Sequence, residues 1–289
     1  MLKIISISIL IISLFTSCKK DHNSMRSKYQ LDSKLGEISG IIRIGDKYFG
    51  HNDSGSDPII YEINIEDGTV AREIYISNAI NIDWEDIAVD SHHIYIGDIG
   101  GNKTERDSLE IYKVKISDLL NLHIAFSEII SINKDTTHPK DFEAMLVKEG
   151  SLYLFSKDID GYICKTYKVD ISEAYSELGN PIDEMKLSVA ITGADYNPKT
   201  KEAALIGYSF FDRSNVLNFE INVLRISNFQ NKEFNSDTNI KTYIINNSIE
   251  VLQAESITYS SNNSEVFVSS EMNPVLPASR ATLFSFLLY

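Results

Sequence analysis

The stretch Asp83-Trp84-Glu85-Asp86-Ile87, followed by the apolar segment Ile94 to Asp98, decides the fold because its pattern recurs along the chain. Each copy begins with an acid and a short apolar strand, turns, and returns as a second strand that ends in a polar residue. Further copies begin at Glu37, Asp141, Thr192 and Ala254, and the copy at Thr192 lacks the acid at the matching position. Repetition of this kind predicts a repeat architecture.

The interval between the copies indicates a propeller blade. Aligned on Glu37, Glu85, Glu143, Gly193 and Glu255, successive copies lie 48, 58, 50 and 62 residues apart. A period of about 50 residues is typical of a four-stranded blade, and the residues between copies supply two further strands rich in Ile, Val, Tyr and Phe. The sequence therefore predicts an all-β fold, a single β-propeller of five four-stranded blades. Six blades are the alternative, if the long fourth interval hides one more.

The ends of the chain are predicted to close the ring. The last copy supplies a third strand, Ala281 to Phe286, but no fourth. Ser27 to Ser33 precedes the first copy, and its pairing with the last strand would complete the blade and protect the edge. Helical periodicity is weak throughout, and the best helical turns are Ser117 to Leu122 and Ser172 to Leu178.

The first residues have the pattern of an export signal. Met1-Leu2-Lys3 gives a basic start, Ile4 to Phe15 is apolar, and Thr16-Ser17 precede Cys18. About a dozen apolar residues are too few to cross a bilayer core of roughly 30 Å, which predicts a cleaved signal and not a membrane helix. The arrangement resembles a bacterial lipoprotein signal, although Phe15 departs from its preferred residues, and a plain secretory signal is the alternative.

This resemblance divides the chain into a signal (residues 1–17), a polar tether (18–28) and the propeller (29–289). It implies lipidation at Cys18, attachment to the membrane through that lipid, and a place in the bacterial cell envelope, on the outer membrane facing the periplasm or the cell surface. Cys164 is then the only thiol left, and its apolar-polar run, Tyr162 to Val169, favours a core position over a nucleophile.

The composition excludes several classes of protein. With 43% hydrophobic and 24% charged residues over 289 positions, the chain differs from disordered, collagenous and small disulfide-rich proteins. The 27 basic residues against 41 acidic ones give a net charge of −14, which disfavours nucleic acid as a partner and an electrostatic membrane anchor. We expect a monomer.

The repeat predicts an acidic cluster at one mouth of the channel. In a propeller the first strand of each blade lines the channel, and its start lies beside the end of the antiparallel second strand. The residues expected there are Glu37, Asp53, Asp83, Glu85, Asp98, Glu143, Asp195, Glu255 and Glu271, with Lys157 as the nearby cation. Carboxylates at close range must raise their pKa values, pair with cations or bind a metal. Oxygen ligands suit Ca²⁺ or Mg²⁺ better than zinc.

Different roles are predicted within this cluster. The candidate metal ligands are Glu37, Asp83, Glu85 and Asp98. The candidate ligand-binding residues are Asp53, Trp84, Lys157, Asp195 and Glu271. A structural interpretation stands beside this one, because acids at strand starts can accept backbone N–H bonds from the next blade, each contributing roughly 1.5–3 kcal/mol. A structural device is needed in every blade, whereas a catalytic residue is needed once, and Trp84 fits a wedge between blades better than a ligand-binding surface.

Several of these segments also form a motif set. Asn52 to Gly55, Asp83 to Asp86, Gly97 to Asn102, Asp141 to Ala144, Thr192 to Asp195 and Glu255 to Tyr259 resemble a group of bacterial propeller proteins whose activities are largely uncharacterised. The resemblance covers most of the mature chain. Gly101 stands where that group has aspartate, which removes one possible metal ligand from the loop. More distantly the group is similar to the propellers of gluconolactonases, strictosidine synthase and phytase-like esterases, which implies calcium in the channel.

Three functions follow as hypotheses. The first is a binding protein whose acidic mouth holds a small ligand or a divalent cation. The second is a metal-dependent hydrolase of esters, lactones or phosphoesters, with Glu143 or Glu255 as the catalytic base. The third is a glycoside hydrolase, which needs two carboxyl groups at a defined separation. A serine hydrolase is disfavoured, because the sequence has no Gly-x-Ser-x-Gly motif.

Overall fold

The computed structural model describes residues 25–101, 106–210, 219–229, 239–245, 253–272 and 280–289. The predicted signal, the lipidation at Cys18 and most of the predicted tether lie outside these residues. Within them, no helix has the length and the apolar character that crossing a membrane requires.

Five antiparallel sheets form the blades of a ring. Blade 1 contains β2 (Ile38–Ile44), β3 (Lys47–Asn52), β4 (Ile59–Ile63) and β5 (Val70–Ile76). Blade 2 contains β6 (Trp84–Val89), β7 (His93–Asp98), β8 (Ser108–Lys115) and β10 (Glu128–Asn133). Blade 3 contains β11 (Phe142–Lys148), β12 (Ser151–Ser156), β13 (Ile163–Asp170) and β15 (Asp183–Lys186).

The ring is completed by two further blades. Blade 4 contains β16 (Ala190–Asn197), β17 (Glu202–Phe210), β18 (Phe219–Ile226) and β19 (Ile240–Ile245). Blade 5 contains β20 (Ala254–Tyr259), β21 (Glu265–Ser270), β22 (Thr282–Leu287) and β1 (Arg26–Gln30). The prediction of a five-bladed, all-β propeller is confirmed. The long fourth interval holds four strands like the others, and the six-blade alternative is wrong.

The N-terminal strand closes the ring. β1 pairs antiparallel with β22, from Arg26 opposite Ser285 to Gln30 opposite Thr282. The Leu31 N–H extends the pairing by donating to the Ala281 carbonyl at 2.9 Å. The strand starts inside the segment predicted as a tether and ends earlier than Ser33, where a 3₁₀ helix (Ser33–Leu35) begins.

The core is divided among the five contacts between neighbouring blades. Five clusters of buried side chains each join two adjacent blades. Trp84 belongs to the cluster between blades 1 and 2, which also contains Phe49 of β3 and Ile87 of β6. Cys164 is buried between blades 3 and 4. Each blade is therefore stabilised mainly by its neighbours, as expected for quasi-repeating units.

Two short strands cover outer edges of blades. β9 (His123–Ile124) pairs in parallel with β5 of blade 1, and β14 (Tyr175–Glu177) with β10 of blade 2. The helical turn predicted at Ser172 to Leu178 is therefore wrong. The Leu178 N–H donates to the Asn133 carbonyl at 2.8 Å, so pairing with an open strand edge outweighs the weak helical pattern. The turn predicted at Ser117 to Leu122 is a 3₁₀ helix (Ile116–Leu120).

Every first strand has a register shift near its start, as a β-bulge produces. The additional residues are Ser39, Glu85, Glu143, Thr192 and Glu255. The sequence alignment on Glu37 and Gly193 is therefore wrong in blades 1 and 4, where the matching residues are Ser39 and Thr192. Pairing geometry defines the equivalent positions, and two blades place a hydroxyl where three place a carboxylate.

Hydrogen bonds made by side chains of the first strands connect the blades. Ser39 donates through its hydroxyl to the Glu85 carbonyl at 2.5 Å, and Thr192 to the Ala254 carbonyl at 2.6 Å. Asp86 Oδ2 accepts the backbone N–H groups of Met145 at 2.8 Å and Ala194 at 3.2 Å. Asp86 in blade 2 thus joins blades 3 and 4 across the channel. The structural interpretation of the acids applies to this carboxyl group.

Candidate functional site

The starts of the first strands and the ends of the second strands meet at one mouth of the channel. A backbone hydrogen bond fixes this contact in three consecutive blades: Asp53 N–H to the Glu37 carbonyl (2.8 Å), Ile99 N–H to the Asp83 carbonyl (3.2 Å) and Lys157 N–H to the Asp141 carbonyl (3.1 Å). In blade 5 the Glu271 N–H bonds the Gln253 carbonyl at 3.0 Å. Side chains at these positions of different blades therefore come together.

Seven carboxyl groups of the described residues lie at this mouth, and we refer to them as the acidic mouth: Asp53, Asp83, Glu85, Asp141, Glu143, Glu255 and Glu271. Glu85, Glu143 and Glu255 occupy bulge positions, and only 2%, 3% and 5% of their surfaces are exposed. Burial of this much negative charge is unfavourable unless protons or cations compensate it.

Five of the seven carboxylates form two sets that share Glu85. Oxygens of Asp53, Asp83 and Glu85 lie within 4.8 Å of one another, and so do oxygens of Glu85, Asp141 and Glu143. The first set joins blades 1 and 2, and the second joins blades 2 and 3. Each set has the ligand type and spacing that a hard divalent cation requires.

Glu85 is one of two members of the acidic mouth that have a buried oxygen without a partner among the described residues. Its Oε1 is buried and has no hydrogen-bond partner among the described residues. Burial, followed by the charges of Glu143 and Asp53, raises the pKa of the Glu85 carboxyl well above its usual value. This carboxylate would regain its ordinary ionisation if a cation were bound beside it.

Lys157 supplies positive charge from the end of β12. Its Nζ lies 2.9 Å from Glu143 Oε2 and 5.7 Å from the centre of the Tyr208 ring. Burial disfavours the ammonium form, but the Glu143 carboxylate more than compensates, so the pKa of Lys157 is raised well above its ordinary value. Lys157 therefore stays charged and neutralises one of the carboxylates.

Glu255 and Glu271 form the opposite side of the mouth. Glu255 accepts a hydrogen bond from the Tyr208 side chain, while its Oε2 is buried without a partner in the described part of the chain. Burial raises the pKa of Glu255 to about 7, against the lowering effect of Lys157. Burial and the Glu255 charge raise the pKa of Glu271 to about 10. This side of the mouth holds protons at neutral pH.

The loop after β7 organises both carboxylate sets. A Cβ atom at Gly100 would overlap Glu85 Oε1 and Asp83 Oδ2, so the loop backbone packs directly on the first set. The Gly101 N–H donates to Asp141 Oδ1 at 3.0 Å, which connects the loop to the second set. A Cβ atom at Gly101 would overlap the Lys140 carbonyl. Gly101 therefore contributes an N–H group and close packing to the site.

Alanine at position 100 is expected to disturb the acidic mouth selectively. The added methyl group must displace the Glu85 and Asp83 carboxylates, so a divalent cation held by these carboxylates should bind at least about tenfold more weakly, a loss of 1.4 kcal/mol in binding free energy. Calorimetric titration with Ca²⁺ measures this change. Gly179→Ala is the matched control, because a Cβ atom there meets nothing within 4 Å. Equal affinities for the two variants would contradict the prediction.

Two predicted site residues are buried away from the mouth opening. Asp98 accepts the backbone N–H groups of Ile82 at 3.3 Å and Asp83 at 3.1 Å, and it pairs with Arg106. It belongs to neither carboxylate set and instead positions Asp83. Trp84 is fully buried, with its ring edge-on to His51 at 5.5 Å, and its Nε1 donates to the Ile80 carbonyl at 3.2 Å.

Two other predicted site residues, Asp195 and Glu37, lie at different levels of the channel. Asp195 is three residues beyond the bulge residue Thr192, a distance of roughly 10 Å along a strand. It accepts bonds from Thr258 Oγ1 at 3.0 Å and the Tyr259 N–H at 2.8 Å, and it lines a separate cavity of about 580 Å³ at the other mouth. Glu37 is exposed at the rim of the acidic mouth and belongs to neither set.

Asp141 and Tyr208 complete the site, although sequence analysis assigned neither of them a role. Asp141 precedes Glu143 by two residues, as Asp83 precedes Glu85, and this shared offset is a signal that could have identified it. Burial and the Glu143 charge raise the pKa of Asp141 to about 8. Tyr208 lies within β17 at the position that corresponds to Lys157, the residue after β12.

Comparison with known proteins supports the fold. No family model matches the chain, and no curated protein matches it. The bifunctional GH43-CE protein of Bacteroides eggerthii is 11% identical with a TM-score of 0.54, over 91% of this chain and 34% of that one. A hypothetical protein from Leishmania major is 12% identical with a TM-score of 0.52, over 92% of this chain and 90% of that one. The crystal structure of the RRP9 WD40 repeats is 9% identical with a TM-score of 0.45, over 92% of this chain and 100% of that one. The likeness is one of fold alone.

Proposed function

We propose that the protein binds a divalent cation, of which Ca²⁺ is the best fit, at the acidic mouth. The observation that carries this proposal is the buried Oε1 of Glu85, which lacks a partner among the described residues and lies where the two carboxylate sets meet. A buried polar atom without a partner costs about 1–3 kcal/mol, more for a charged group. A bound cation would remove this cost and supply the missing positive charge.

The ligand chemistry favours calcium or magnesium. Every member of both sets is a carboxylate, and carboxylate oxygens prefer hard cations to zinc or copper. Ca²⁺ accepts six to eight oxygen ligands in a flexible geometry, whereas Mg²⁺ requires a nearly regular octahedron. Side chains from three different blades suit the more tolerant ion.

The predicted location agrees with a weak or moderate calcium site. Lipidation at Cys18, which the N-terminal sequence predicts, would hold the propeller in the cell envelope. Extracellular calcium modules have dissociation constants of about 10⁻⁴–10⁻³ M, since the ion is abundant there. We expect the affinity of this site to lie in that range.

Replacing Glu85 by glutamine tests the proposal. The amide keeps the size of the side chain but removes the charge shared by both sets, so we expect the affinity for Ca²⁺ to fall at least about 100-fold, or 2.7 kcal/mol. Isothermal titration calorimetry on the purified protein measures the change. Asp195→Asn is the control, because that carboxyl is buried at the other mouth, and it should bind Ca²⁺ normally. Absence of binding to the wild type, or unchanged binding to Glu85→Gln, would overturn the proposal.

A second candidate function is metal-dependent hydrolysis, and the second oxygen of Glu255 favours it. Of the two predicted catalytic acids, Glu143 is paired with Lys157, whereas Glu255 Oε2 has no partner among the described residues. A carboxyl group whose pKa is about 7 is suited to act as a general base. A screen of esters, lactones, phosphoesters and glycosides with and without Ca²⁺ tests this function, and activity unaffected by Glu255→Gln would exclude Glu255 as the base.

A further inference from the structure

We propose that the acidic mouth holds two divalent cations and that Glu85 is a ligand of both. This inference rests on the proposed function and goes beyond it by assigning the number of ions and their common ligand. The two ions would lie between blades 1 and 2 and between blades 2 and 3.

The spacing of the oxygens separates the five carboxylates into two coordination sets. Ligands on opposite sides of one ion can be no farther apart than twice the metal–oxygen distance, which for Ca²⁺ is about 4.6–5.2 Å. The oxygens of each set satisfy this limit, lying within 4.8 Å of one another. The five carboxylates do not form one such group, and Glu85 alone belongs to both sets. A single ion centred in one set would therefore leave at least one carboxylate of the other set outside the 4.8 Å spacing.

Charge compensation leads to the same number of ions. The two sets contain five carboxylates, and Lys157 neutralises one of them through its contact with Glu143. The other four carboxylates of the two sets carry, when ionised, the charge that two divalent cations balance. Repulsion between carboxylates across the shared Glu85 would persist with a single ion, because each set lies within reach of the other's charge.

The unpartnered oxygen of Glu85 and the glycine loop place the common ligand between the two sites. Glu85 is buried and its Oε1 has no partner among the described residues. The backbone at Gly100 packs against Asp83 and Glu85, while the next residue, Gly101, bonds Asp141. The turn at Gly100 and Gly101 thus contacts acids of both sets next to Glu85.

Counting the bound ions tests this inference separately from the proposed function. Ca²⁺ titration of the purified protein should give two equivalents for the wild type and one each for Asp53→Asn and Asp141→Asn, which remove a ligand from one set only. Glu85→Gln should weaken both sites. Mn²⁺, which also prefers carboxylates, gives a second reading, since two ions bridged at about 4 Å produce exchange-coupled electron paramagnetic resonance spectra.

Each result has a distinct meaning. Two equivalents with coupled Mn²⁺ spectra would support the inference. One equivalent in the wild type would overturn the two-ion site while leaving the proposed function intact, and no binding would overturn both. Two equivalents that both survive Glu85→Gln would overturn the shared ligand. Circular dichroism identifies any variant that fails to fold. If Glu85→Gln fails to fold, the variants at the partly buried Asp53 and Asp141 still allow the bound ions to be counted.

Discussion

Replacing Asp86 by alanine is expected to lower the free energy of unfolding by about 2–6 kcal/mol, because two backbone N–H groups of other blades lose their buried acceptor. These groups belong to Met145 of blade 3 and Ala194 of blade 4, and both bond Asp86 Oδ2. All three residues are almost fully buried, so water cannot replace the carboxylate. Single domains are stable by only about 5–15 kcal/mol, which makes this loss large.

Urea unfolding of the wild type, Asp86→Ala and Asp86→Asn measures the effect. Asparagine keeps one acceptor oxygen and should fall between the other two proteins. Asp46→Ala changes an exposed turn residue and serves as a control that should stay within about 0.5 kcal/mol of the wild type. If Asp86→Ala were as stable as Asp46→Ala, the bridge across the channel would have no energetic importance.

The second large effect is a dependence of stability on pH that a cation reverses. Without Ca²⁺, the melting temperature is expected to fall between pH 6.5 and 8.5. The folded protein raises the pKa of Asp141 to about 8 and that of Glu271 to about 10, chiefly by burial, whereas both groups ionise near pH 4 in the unfolded chain. The folded state therefore holds more protons than the unfolded state in this range, and its stability declines as pH rises.

The size of the effect depends on the protons retained on folding. Each such proton contributes a slope of about 1.4 kcal/mol per pH unit. His51 acts in the opposite direction, because burial lowers its pKa to about 4, but its contribution is confined to the range between its folded value and the ordinary value near 6.5. Above pH 6.5 the carboxyl groups therefore determine the sign.

Scanning calorimetry at several pH values, with Ca²⁺ and with a chelator, measures this dependence. Bound Ca²⁺ favours the ionised carboxylates, so the melting temperature with Ca²⁺ should be flat or should rise over the same range. A melting temperature that is independent of pH with the chelator would contradict the raised pKa values. A fall that Ca²⁺ does not reverse would instead argue against cation binding at these groups.

The sequence predicted the fold because similar residue types recur at the strand starts of successive copies along the chain. The spacing of the acidic strand starts predicted five blades, and the unmatched strand of the last copy predicted closure at the N-terminus. The strand β14 was missed, because three residues of parallel pairing leave no periodic pattern. Its position depends on an open edge of the preceding blade, which is a property of the assembled ring.

The site was predicted less completely, because the β-bulges determine which positions of the first strands are equivalent. Matching acid to acid aligned Glu37 with Glu85, but the backbone pairing makes Ser39 the equivalent of Glu85. Asp195 follows a strand start in sequence, yet three further residues along the strand carry it to the other mouth. Asp98 follows the predicted pattern, but its oxygens are occupied by two N–H groups and by Arg106.

The direction of β1 sets the orientation of the whole ring. Gln30 pairs with Thr282, which lies opposite Ser270 at the acidic end of blade 5, whereas Arg26 pairs farther from that end. The chain therefore enters the ring from the side of the Arg43 and Lys148 cavity and runs toward the acidic mouth. The first described residues therefore lie on the cavity side of the ring. The acidic mouth opens on the face opposite to the start of β1, so the carboxylates are reached from the side away from the beginning of this strand.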